Sequence, residues 1–282
     1  MRKNFSYATF GFTDRDLFAA LDAVAAAGFS QTEILGESPH MDPPPTGSAL
    51  SALQRRLAQC GLRVRTVHGP MRRNVPGAPD EEWRREILVN LVDHLRCASE
   101  LSAEGMVVHP VPNPMFVSDP DASDLPDRMR RAFVRSLDEL VPVAQDTGVR
   151  LLFENLPYDC DYPLLSLAEL REAIEPYPAE SAGLVIDTGH AVISGRDPAG
   201  EIRAAGNRLW GTHLQDTNGT DDCHWKPGDG VTDWNAVRTA LEDIGYAGPW
   251  TFEIGSSSGD ATREEIARAA RSMADRWSEH LR

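Results

Sequence analysis

The sequence predicts a single (β/α)8 barrel, and three observations lead there. Short β-branched or aromatic runs alternate eight times with longer stretches of helical periodicity. Most of those runs are apolar along nearly their whole length, and 282 residues are enough for eight such units around one core. A run that is apolar without alternation marks a strand covered on both faces, as in a parallel sheet wrapped by helices.

The strands are expected at 5–11, 31–35, 63–68, 105–109, 149–154, 183–187, 208–213 and 249–254. The second, GFSQTEILG, begins directly after the first helix, and the third closes in TVHGP. Between strands three and four a helix places Trp83, Ile87, Leu88, Leu91, Val92 and Leu95 on one face, leaving Asp80, Glu81, Arg84 and Arg85 for solvent. DTGVRLLFEN leads into strand five and DIGYAGPWTFEI into strand eight, each with a glycine between helix and strand. No G-x-G-x-x-G follows the first strand, which argues against an open doubly wound sheet. With no charge block or low-complexity segment, residues 1–282 read as one domain.

Composition narrows the function. No apolar run is long enough for a membrane span or a secretory leader, so a cytoplasmic protein is expected. The four cysteines, Cys60, Cys97, Cys160 and Cys223, form no CxxC pair and read as reduced thiols. A net charge of −15 opposes nucleic-acid binding and favours a small substrate. Lys3 and Lys226 are the sole lysines, which makes Lys226 conspicuous.

In a parallel barrel the reactive groups lie where strands end. Strand three ends at His68, four at His109, five at Glu154, six at Asp187 with His190, seven at His213 with Asp216, and eight at Glu253. An ionised group behind several apolar residues must be paired or bound to a metal, because burying it alone costs several kcal/mol. Six consecutive strands end this way, whereas His40, His94 and His280 read as ordinary surface residues. Glu154, Asp187, His213 and Glu253 form an oxygen-rich set on neighbouring strands, suited to Mn2+, Mg2+ or Co2+, with Zn2+ also compatible. The loop DTNGTDDCHWKPGDG adds Asp222, His224, Lys226 and two glycines, Gly228 and Gly230, able to fold over a substrate.

Taken in order, FEN, DTGH, HLQD, DxHxxPGxG and FEI resemble the xylose isomerase-like barrel superfamily, the specific part running from Val67 to Glu253. The resemblance implies a sugar isomerase or epimerase whose metal is held by Glu154, Asp187, His213 and Glu253. It implies that Glu154 and Glu253 move a proton on either side of a metal-stabilised enediolate of a keto sugar or inosose. Loss of a β-hydroxyl would instead make the protein a dehydratase or lyase.

His68, His109, His190, His224 and Lys226 are then expected at the substrate, with Tyr158, Tyr162, Trp225 and Phe116 as an apolar wall. Homodimers or homotetramers are the assemblies implied. The alternative within the superfamily is an endonuclease IV-like enzyme, whose three-zinc ligand pattern matches His68, His109, Glu154, Asp187, His190, His213, Asp222, His224 and Glu253. Against it, SYATFGFTDRD lacks that family's opening His and glycine-rich turn, and the acidic balance opposes DNA, although Met71-Arg72-Arg73 could contact one phosphate. The ketose 3-epimerases' second Glu after strand five and their strand-seven Arg have no counterpart in NLPYDCDYP and QDTNGTDDCHWK.

Overall fold

A computed structural model describes residues 4–279, so His280 lies outside the described residues. The chain runs β1 (Phe5–Ala8), α1 (Leu17–Ala26), β2 (Gln31–Leu35), α2 (Gly47–Cys60), β3 (Arg63–His68), α3 (Glu81–Glu100), β4 (Gly105–Val108) and α4 (Leu125–Thr147). It continues through β5 (Arg150–Glu154), α5 (Leu167–Ile174), β6 (Ala182–Asp187), α6 (Thr188–Ile193), α7 (Pro198–Ala205), β7 (Leu209–Leu214), α8 (Trp234–Asp243), β8 (Trp250–Phe252) and α9 (Arg263–Glu279). All strands are parallel, and β8 pairs back onto β1 to close the barrel.

Local signals set the element ends. The Asp80 side chain accepts from Trp83 N at the start of α3, ahead of Glu81 and Glu82 in its first turn. Gly148 ends α4 in the left-handed region with φ 69°, which turns the chain into β5. Strands β1 and β8 are shorter than expected: a 3-10 turn takes over at Thr9, and Glu253 lies one residue past the ladder. At those ends Glu253 lines the cleft, while the Thr9 hydroxyl accepts from Leu35 N of β2 at 2.9 Å.

Period-two alternation divides each strand between two environments. Leu151, Phe153, Leu184 and Ile186 face the helices within the main core. Val107, Leu152 and Val185 form a separate small cluster inside the barrel. Gly211 belongs beside that cluster because a Cβ there would lie 2.8 Å from Val185 Cγ2. One step further along, the inward positions become Glu154, Asp187 and His213, so the alternation that fills the barrel also lifts these groups to its rim.

Two residues expected at the surface are buried. His94 is fully enclosed beneath the β2 end, its Nδ1 2.9 Å from Asn90 O and its Nε2 near Gly36 O and Met41 O at 3.1 and 3.2 Å. Arg84 of α3 is buried against α4, donating to Glu81, Glu139 and Ser136. Helical spacing cannot distinguish such a position from a solvated one, because its polar partners come from other elements. The four cysteines are free, and among the described residues no helix is long and apolar enough to cross a membrane.

Candidate active site

Glu154, Asp187, His213 and Glu253 converge at the C-terminal end of the barrel, each offering a ligand atom within 4.8 Å of the others. His213 Nδ1 donates to Glu154 Oε1 at 2.8 Å and lies 3.2 Å from Glu253 Oε2, so these two carboxylates flank one imidazole. The other oxygen of Glu154 is 3.2 Å from His109 Nε2 and 3.4 Å from His68 Nε2. Asp187 Oδ1 accepts from His190 N and Gln215 Nε2, while Oδ2 is buried with no hydrogen-bond partner among the described residues.

Such an orphaned carboxylate oxygen, beside two more carboxylates and an imidazole, fits a divalent cation. Burial, opposed by His190, pushes the Asp187 carboxyl up to about 7, and Glu154 adds to the rise. Burial also acts on Glu154, but His213, His109 and His68 outweigh it and hold that carboxyl well below its usual range. His213 is likewise buried, yet Glu253, Glu154 and Glu33 keep its imidazole protonated well above the ordinary range. A cation would relieve the crowding on Asp187 and replace the Nδ1 proton of His213.

Beneath this cluster sits a residue that the strand ends did not disclose. Glu33, in the middle of β2, is 1% exposed, places Oε1 3.0 Å from His213 Nε2, and accepts from Thr66 Oγ1 at 2.6 Å. A carboxylate at Nε2 favours a proton there and so frees Nδ1 for the cleft. Its signal was present in QTEIL, a buried strand with one acid inside it.

A second cluster forms one side of the cleft. Asp222 bridges His190 Nε2 and His224 Nε2, both at 3.3 Å, and accepts from Gln215 Nε2 at 3.0 Å. Against burial, Asp222 raises the His224 imidazole to about 9. The loop carrying these residues is anchored by Asp216. Its carboxylate accepts from Thr217 N, Gly228 N, Thr232 N and Trp234 Nε1 at 2.8–3.1 Å. Gly230 is required there, since a Cβ would lie 2.1 Å from Thr217 O. Asp216, collected as a strand-end acid, therefore holds the loop's shape.

The cleft above both clusters has a volume of about 440 Å³, a size that accommodates a small ligand. His68, His109, His190 and His224 line it, as does Tyr158. Lys226 does not: its ammonium pairs with Asp229 at 2.6 Å. Tyr162 is buried in the core, Trp225 pairs its backbone with Asp216, and Phe116 is outside the lining. Phe10, Met71, Arg72, Asn113, Met115 and Pro157 complete the wall. They lie on loops after β1, β3, β4 and β5, and of them the sequence marks Met71 and Arg72 alone, as part of a basic patch.

Fold and cleft together define a parallel-barrel protein with a buried group of carboxylates and imidazole competent to hold a metal ion. The chain belongs to the xylose isomerase-like TIM barrel family, whose profile matches residues 21–277. It is 27% identical over 252 residues to an uncharacterized protein of Methanocaldococcus jannaschii, covering 88% of this chain and 83% of that one. It is also 27% identical over 249 residues to a D-psicose 3-epimerase of Enterocloster bolteae, covering 87% of this chain and 79% of the relative. A solved D-tagatose 3-epimerase-like protein superposes with a TM-score of 0.81 at 23% identity, over 99% of this chain and 98% of that one. Sugar epimerases and isomerases recur among the relatives.

Proposed function

We propose that the protein is a divalent-metal-dependent isomerase or epimerase of a keto sugar or keto cyclitol. The observation that carries this reading is the convergence of Glu154, Asp187, His213 and Glu253 at the floor of an open cleft, with Asp187 Oδ2 buried and unpartnered. Those four would hold the ion, Mn2+, Mg2+ or Co2+ by donor type. When bound, it would supply Lewis acidity that polarises a substrate carbonyl and its adjacent hydroxyl.

The chain's own groups account for the proton. Glu154 and Glu253 flank His213, so one carboxylate can remove the proton beside the carbonyl while the other returns it. Return to the opposite face of the same carbon epimerises, and return to the neighbouring carbon isomerises. His68 and His109 contact Glu154 Oε2 and keep that group ionised, as a base must be. His190 and His224, each held between a backbone carbonyl and Asp222, form the wall against which substrate hydroxyls would lie.

The test is proton NMR of keto sugars, keto inositols and dehydroshikimate-like acids in D2O with Mn2+. Deuterium entering beside the carbonyl is expected with at least one member. No exchange with any of them would remove the reading.

One observation favours a second reading, an endonuclease IV-like activity. His190, Asp222 and His224 form a further group able to hold a metal, and His68 and His109 stand at the free oxygen of Glu154. Cleavage of an abasic-site duplex, with more than one tightly held metal per chain, would establish it. The net charge of −15 weighs against a polyanionic substrate.

A further inference from the structure

We propose that the outer wall of the cleft is a subsite for an anionic substituent of the substrate, a carboxylate or a phosphate monoester, held by Arg72 with Asn113 and Tyr158. The inference rests on the keto-sugar reading for its chemistry, but on separate residues for its geometry. Among the described residues, Arg72 is the one cleft-lining side chain with a permanent positive charge, and its guanidinium has no carboxylate within ion-pair distance. Its neighbour Arg73 turns away, over the Trp83 ring at 5.3 Å and toward Glu86 at 3.5 Å.

The backbone gives Arg72 its place in the cleft wall. It has φ 62°, a left-handed conformation unusual for a residue other than glycine, and Asn113 N donates to its carbonyl at 2.9 Å. The same loop is tied by Asn74 N to Met71 O at 2.9 Å and by Met71 N to Glu37 Oε1 at 2.6 Å.

Two further donors share this wall without partners. Asn113 Oδ1 is committed to Met115 N, which leaves its NH2 group uncommitted. The Tyr158 hydroxyl makes no hydrogen bond among the described residues, and burial keeps its proton on. The cleft is therefore polarised, with carboxylates at the floor and spare donors outside. Arg72 stands exposed at the mouth of the cleft, where a planar carboxylate or a phosphate suits its fork of N–H groups better than a neutral polyol does.

The experiment compares D-ribulose, D-ribulose 5-phosphate and D-fructuronate, binding each calorimetrically to the full chain with Mn2+ present. At least one anion is expected to bind about tenfold or more tightly than the neutral ketose, with the preference shrinking as salt is raised. Whichever anion gains identifies the substituent. Arg72→Gln should collapse that ratio toward one, and Arg72→Lys should retain part of it. Three wild-type affinities within about twofold of one another, no binding by either anion, or an Arg72→Gln chain that keeps the preference would overturn the subsite. Deuterium exchange on the same compounds reports separately on the chemistry. An anion preference without exchange leaves the subsite standing and removes the keto-sugar reading.

Discussion

Replacing Glu33 by Gln keeps the size of a side chain that is 1% exposed but removes the negative charge 3.0 Å from His213 Nε2. Thr66 Oγ1, now 2.6 Å from Glu33 Oε2, can still donate to the amide oxygen, which turns the amide NH2 toward His213. Two donors then face each other, and relief requires the imidazole to carry its proton on Nδ1, the atom that faces Glu154 and Glu253. A metal must displace that proton against the wrong tautomer. Loss of a carboxylate behind a metal-bound histidine typically weakens binding about 10- to 100-fold, or about 1.4–2.8 kcal/mol. Mn2+ titration of chelator-stripped protein by electron paramagnetic resonance measures the change, with circular dichroism confirming the fold. A Glu33→Gln affinity within about twofold of wild type would refute the role given to Glu33.

The other expectations follow from the same geometry. Glu154→Gln and Glu253→Gln should each lower solvent exchange at least about a hundredfold while the chain stays folded, and activity surviving in either removes its assigned role. Mn2+ affinity should rise with pH up to about 7 and then flatten as far as Asp187 is concerned, because below that value its carboxyl carries a proton that the ion must displace. Calorimetry in buffers of different ionisation enthalpy should register net proton release, and zero protons released would contradict the crowded-carboxylate picture. Asp216→Ala removes the acceptor of four N–H groups and should cost about 3 kcal/mol in urea unfolding, with faster proteolysis within 217–232. A loss below about 0.5 kcal/mol would show that the loop is held by other contacts.

Much of this site is legible in the sequence because a parallel barrel makes one demand repeatedly. Strands β5, β6 and β7 are largely apolar until they reach the rim, so Glu154, Asp187 and His213 stand out as polar endings to apolar runs. Glu33 departs from that pattern, being buried in the middle of β2, and a search confined to strand ends passes over it. Lys226 drew notice by its rarity and by its place in the loop with Asp222 and His224, and neither fixes where its ammonium goes: three residues on, Asp229 takes it. The outer wall is harder still to read. Arg72 comes from the loop after β3 and Asn113 and Met115 from the loop after β4, and their approach depends on backbone conformations such as φ 62° at Arg72 that neither periodicity nor residue type encodes. His94 and Arg84 fail for a related reason, since the carbonyls and carboxylates that satisfy them belong partly to other elements.

The most direct test is anomalous diffraction from crystals grown with Mn2+. One peak is expected in contact with Glu154, Asp187, His213 and Glu253, and it should vanish in an Asp187→Asn, His213→Ala chain. Density for those side chains with no ion among them, even at millimolar Mn2+, would contradict the account.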